Sequence, residues 1–145
     1  MRHAILVLAL CLPPAPAAAG SDAADPVAPE ILAAGAAIFE RRCSQCHGLD
    51  GVNYKGPYLN GILGRAAASV DAWDYSPALR AWGGRWTEEN LRDWLTRPQA
   101  FLPDNAMNFG GFRNRTEDRD SVIAFLRASP AATGGDAERP AGGAP

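Results

Sequence analysis

The run Cys43-Ser44-Gln45-Cys46-His47 constrains this chain more than any other feature of it. Two thiols three positions apart, followed at once by an imidazole, form the pattern for covalent attachment of haem c. Near the end of a helix this spacing lets both sulfurs reach the vinyl-derived carbons on one side of a porphyrin, with His47 pointing under the iron. Two other chemistries share the half-motif. A structural zinc site needs four protein ligands, and once an N-terminal leader is set aside the chain has no further cysteine or histidine, only carboxylates. A thioredoxin-like dithiol wants a βαβ context, which the sequence lacks.

The leader is read from the first nineteen residues. Met1-Arg2-His3 give a positive start, residues 4–12 are apolar, and Ala17-Ala18-Ala19 offer a small-residue cleavage site, the layout of a secretory signal peptide over 1–19. The apolar run is too short for a comfortable membrane span. Leu10 is bulky where lipid attachment at Cys11 wants a small residue. Residues 20–29 read as a linker and 130–145 as a disordered tail, both dominated by Ala, Pro, Gly and isolated charges. One domain remains, 30–129, a size at which a cofactor's apolar mass helps to complete the core. Export to the periplasm, or otherwise out of the cytoplasm, would make Cys43 and Cys46 a plausible disulfide, but their spacing and His47 argue for haem. A net charge of −2 and a single lysine, Lys55, leave no basic footprint for nucleic acid.

Hydrophobic periodicity places the elements. Ile31, Leu32, Gly35, Ile38 and Phe39 recur along one face of a first helix over 30–42, and Gly35 in its interior marks a close backbone approach. Residues 48–64 are punctuated by glycines and read as an ordered loop. Ser76-Pro77 opens a short helix to about Ala81; Thr87 caps another, with Leu91, Trp94 and Leu95 on one face, which Pro98 stops near Thr96. A further loop runs to Phe112. Thr116 with Glu117 and Asp118 starts a last helix whose buried stripe is Val122, Ile123, Phe125 and Leu126. No segment alternates as a strand, so the expectation is a small all-α domain with long Gly/Pro-rich loops that need something to pack on.

A second iron ligand follows by elimination. Without the leader, His47 is the only histidine and Met107 the only methionine, so bis-histidine ligation is excluded on inventory. Met107 stands in the polar stretch Pro103-Asp104-Asn105-Ala106-Met107-Asn108-Phe109, sixty positions after His47. A lone methionine is often a gap filler in a core, but this loop gives it little core to fill. A soft, neutral thioether favours ferrous iron, raises the reduction potential and leaves no open coordination position. That suits electron transfer rather than oxygen chemistry.

From Ile31 to Ser129 the sequence resembles class I cytochromes c of the mitochondrial and bacterial periplasmic type. The resemblance implies the small cytochrome c fold, with helices packed around one haem c bound through Cys43 and Cys46. Gly35 and Phe39 match the first-helix positions that pack on the last helix, where Val122 and Phe125 match the partners. Gly56-Pro57 matches the turn whose proline carbonyl accepts the Nδ1 proton of His47. Asn60, Gly61, Gly64 and Arg65 match the loop that follows. By the same resemblance Arg65, Tyr75 and Trp86 bond to the haem propionates, although Trp86 by itself also suits a packed core. The chain departs from the family pattern at several places. Asn105 replaces a threonine, with an amide that can still reach a propionate; Trp94 replaces a tyrosine near the methionine; and Leu79 replaces an asparagine. The lysine ring around the haem edge is missing, leaving Arg41, Arg42, Lys55 and Arg65 as a smaller basic patch.

The function this implies is a periplasmic, monomeric electron carrier, not an enzyme. It would exchange one electron with a redox protein donor and acceptor, either membrane oxidoreductase complexes or a periplasmic dehydrogenase. The alternative is a haem enzyme or gas-binding protein in which Met107 dissociates.

Overall fold

The computed structural model describes residues 27–131. The expected signal peptide, most of the expected linker and all but the first two residues of the expected tail lie outside the described residues.

Helix α1, Pro29–Arg42, begins on a proline that has no N–H to leave unpaired, and no side chain caps it. Glu30 in its first turn and Arg41 and Arg42 in its last turn complement the helix dipole. Gly35, Ile38 and Phe39 are buried along it, as the periodicity requires. Ile31, expected on the same face, is 41% exposed, because the stripe reaches its partner helix only from the second turn onward.

Helix α2, Pro77–Trp82, is capped by the Ser76 hydroxyl, which accepts from Leu79 N at 3.3 Å, and it runs one residue beyond the expected Ala81 before Gly83 ends it. Helix α3, Glu88–Thr96, is capped by Thr87, whose Oγ1 accepts from Asn90 N at 3.1 Å. The stretch after Pro98 is not wholly loop as the sequence reading had it: Pro98–Phe101 forms a fourth helix, α4. Proline forces the residue before it out of helical geometry, so Arg97 is extended and α3 stops. The same ring is preorganised for a first helical position, so Pro98 also starts the next turn. Helix α5, Thr116–Ala128, buries Val122, Ile123, Ala124 and Leu126, while Phe125 is half-buried with its ring 5.7 Å from that of Phe39.

Among the described residues there are no strands, only two isolated bridges, His47 with Asn53 and Ala66 with Arg85. Helix α5 is the hub, packing against both α1 and α3. A side chain at position 35 would run into the carbonyl oxygen of Ser121 and stand 2.7 Å from Cβ of Phe125, so only glycine lets α1 and α5 cross here. Polar ties link α3 to α5: Arg127 to Glu88 at 2.5 Å, Arg92 to Asp120 at 3.4 Å, and Arg119 Nη1 to Thr96 Oγ1 at 2.8 Å. Because most of these groups are solvated, the ties orient the pair more than they stabilise it.

Gly35→Ala tests the crossing. Alanine would ordinarily gain about 1 kcal/mol of helix propensity, but overpacking a close crossing costs about 1–3 kcal/mol. The expected result is a lower urea midpoint for the holoprotein with an unchanged slope.

Candidate functional site

The C-terminus of α1 turns directly into the cysteine motif. Cys43 N donates to Phe39 O at 2.7 Å, and Cys46 N and His47 N both donate to Cys43 O, at 3.0 and 2.9 Å. The motif is thus a tight turn carried on a packed helix, which presents both thiols and the imidazole to one cavity. Cys43 is half-buried and Cys46 exposed. Burial, reinforced by the neighbouring Cys46 and opposed by Arg42, pushes the Cys43 thiol up to about 11.

His47 Nδ1 lies 2.8 Å from the carbonyl oxygen of Pro57. A carbonyl only accepts, so the proton is on Nδ1 and the lone pair is on Nε2, the tautomer a metal ligand requires. Burial holds the imidazole below its ordinary pKa by disfavouring the charged form, and the Pro57 bond partly counters this. Gly56 lies against the ring: a Cβ there would strike Cε1 and stand 2.7 Å from Nδ1. The loop that delivers Pro57 is pinned by Asn60, whose Nδ2 donates to Leu49 O and whose Oδ1 accepts from Gly51 N at 3.0 Å. Gly56 N to Cys46 O at 2.8 Å and Leu59 N to Gly48 O at 2.9 Å close it further.

Met107 lines the same cavity. Its backbone N–H donates to Asn105 Oδ1 at 2.9 Å, and Asn105 Nδ2 donates to Leu102 O at 2.7 Å. Asn105 is buried, and its amide holds the backbone of the methionine loop. Gln99, on α4, donates from Nε2 to Asn105 O at 3.0 Å and to Met107 O at 3.4 Å. Nothing in the local sequence marked Gln99, because Pro98 reads as a stop signal and the turn after it as loop.

The cavity has a volume of about 430 Å³, within the range of small-molecule and cofactor sites. Leu59, Ile62, Leu91, Leu95, Val122 and Leu126 give it apolar walls. Trp86 and Trp94 line it as well, with ring centroids 5.2 Å apart, and Trp82 backs Trp86 at 4.9 Å. Trp86 lines the cavity and is buried, and no hydrogen bond from its N–H to the protein is present among the described residues. The Tyr75 hydroxyl accepts from Val70 N at 3.3 Å, leaving its own proton to donate; burial raises its pKa. Arg65 reaches the cavity, but Nη1 and Nη2 donate to Asn60 O at 3.0 Å and Tyr58 O at 2.8 Å. Its guanidinium is thus both a loop tie and a fixed positive charge beside the cavity. Trp94 and Leu79, the departures from the family pattern, also face it.

Two thiols, a neutral imidazole with a free Nε2, a thioether, apolar walls, and an arginine with two further N–H or O–H donors therefore converge on one cavity. This donor set fits haem c and its two carboxylates. The Cytochrome c family model matches residues 32–130. The chain belongs to the cytochrome c family. It is 42% identical over 97 residues to the cytochrome c-type cyt cy of Rhodobacter capsulatus, a match covering 67% of this chain and 48% of that protein, so the chain aligns with about half of that relative's length. It is 38% identical over 97 residues to cytochrome c of Gibberella zeae, covering 66% of this chain and 91% of the relative. Among solved structures, cytochrome cH from Methylobacterium extorquens superposes with a TM-score of 0.62 at 33% identity, covering 66% of this chain and 96% of that one. Membership makes the chain an all-α cytochrome c that carries one covalent haem c through Cys43 and Cys46, and an electron carrier in class.

Replacing both Cys43 and Cys46 by alanine should abolish covalent haem, read as loss of haem-stained protein on a denaturing gel and of the adduct mass. Gly56→Ala should leave the thioethers intact yet displace the imidazole, seen as an altered ferric spectrum.

Proposed function

We propose that the chain is a periplasmic single-electron carrier in which His47 and Met107 are the two axial ligands of the haem iron. The observation that carries this reading is that the His47 imidazole and the Met107 thioether line one apolar cavity with both cysteines. Haem c supplies a one-electron ferrous/ferric couple.

The protein's residues set the terms of that couple. The Pro57 carbonyl holds the Nδ1 proton of His47 and thereby orients the ring and raises the basicity of Nε2. The Met107 sulfur, soft and uncharged, favours the ferrous form and occupies the remaining position. Leu91, Leu95, Val122 and Leu126 keep water from the iron. Arg65, with donors from Tyr75 and Trp86, makes two carboxylates tolerable at the cavity's edge.

Docking to a donor and an acceptor is assigned to the cavity's exposed rim. Arg41, Arg42 and Lys55 are exposed there or nearby, while Ala106 and Asn108 beside the methionine carry no charge. This smaller basic patch implies weaker electrostatic steering than a lysine ring gives. Export by an N-terminal signal peptide, with a membrane oxidoreductase complex or a periplasmic dehydrogenase as partner, completes the reading. A gas-binding role would need the Met107 sulfur to leave the iron, and the Asn105 and Gln99 ties keep the backbone that carries that side chain in place, which counts against it.

Optical redox titration of the Met107→Ala holoprotein tests the assignment. The expected outcome is loss of the sulfur-to-iron charge-transfer band, carbon monoxide binding to the ferrous form, and a potential lower by on the order of 0.1 V or more, within the span axial ligands command. An unchanged spectrum would refute Met107 as ligand.

A further inference from the structure

We infer that Gln99 is a positioning residue for the iron's thioether ligand, acting through the backbone of Met107 rather than through any contact with the haem. The inference rests on the His47/Met107 reading above.

Both backbone polar groups of Met107 are held by side chains. The N–H goes to Asn105 Oδ1 at 2.9 Å, and the carbonyl receives Gln99 Nε2 at 3.4 Å. The same Nε2 donates to Asn105 O at 3.0 Å, so one amide group spans the two carbonyls that flank Ala106. Asn105 Nδ2 then returns to Leu102 O at 2.7 Å, just past the end of α4. The segment 105–107 is thereby stitched to α4 at two points, both belonging to Gln99, and to its C-cap Leu102 at a third.

A stitch positions something only if its anchor is rigid. Helix α4 has a single turn, but its first residue, Pro98, is among the fully buried side chains. Its last, Phe101, packs edge-on against Trp82 at 5.3 Å and Trp94 at 6.0 Å. Trp94 in turn lines the cavity. Gln99 itself is exposed, so it adds little to the core; its amide is directed along the methionine loop. Asp104 sits with φ at +62°, a conformation a non-glycine residue holds at some cost when its surroundings compel it. The loop is therefore a held conformation, and Gln99 is the member of its clamp that arrives from outside the loop.

Losing the clamp should ease release of the sulfur without unfolding the domain. In Gln99→Leu, with no donor, and Gln99→Glu, with an acceptor facing two carbonyls, imidazole binding to the ferric holoprotein should tighten by roughly tenfold, the scale of one hydrogen bond. Gln99→Arg, which keeps a long donor and does not ligate iron, should restore tight sulfur ligation. The urea midpoint should fall in the Leu and Glu variants by no more than that one hydrogen bond accounts for, and should recover in Gln99→Arg. Imidazole affinity unchanged in both Leu and Glu variants would overturn the inference, and so would a midpoint that falls in step with it and is not rescued by arginine. The parent protein separates the two claims: if it lacks the sulfur-to-iron band, the ligand reading fails; if the band is present and the variants behave as the parent, only the clamp fails.

Discussion

The crossing of α1 over α5 at Gly35 is the contact on which the site depends. Helix α1 ends in the cysteine motif, so its axis determines where both thiols and His47 sit. Helix α5 contributes Val122 and Leu126 to the cavity wall. Their separation is therefore also the separation between the haem's attachment points and its apolar floor. A helix pair held apart by one methyl group at position 35 would shift the tether relative to the wall.

The two sides of the cavity are built on different principles. The histidine side is local and short: the motif is a turn closed on Phe39 and Cys43, and Asn60 folds the following loop back so that Pro57 meets the imidazole. The methionine side is assembled from afar. The Trp82, Trp86, Trp94 and Phe101 cluster seats α4, and α4 then holds the loop through Gln99 and Asn105. The first arrangement determines a tautomer and a ring orientation, while the second determines where a flexible thioether rests.

Charge follows the same economy. Of the cations that line the cavity among the described residues, Arg42 and Lys55 are exposed, whereas Arg65 is half-buried and its guanidinium is tied to two backbone carbonyls. Burial disfavours that charge, but a guanidinium keeps its proton at any accessible pH, so the site retains a counter-charge for carboxylates.

Much was legible in the sequence, for reasons that can be assigned residue by residue. The motif, the uniqueness of His47 and Met107, the Ser76 and Thr87 caps and the burial of Ile38, Val122 and Leu126 depend on spacing and inventory, and both are written in one dimension. Ile31 shares the apolar face of α1 yet is exposed, because periodicity tells which face a residue is on but not how far the partner helix extends. Helix α4 is hidden in the sequence, because a proline that ends one helix and begins the next gives a single signal for two events. Gln99 carried no signal, since its importance lies in two carbonyls six and eight positions away. By itself the sequence determined which groups can bind haem and iron, since ligand chemistry belongs to residue types and their spacing. Only the tertiary structure decided what holds those groups in place, because hydrogen bonds between distant backbone and side-chain atoms exist only once the chain has folded.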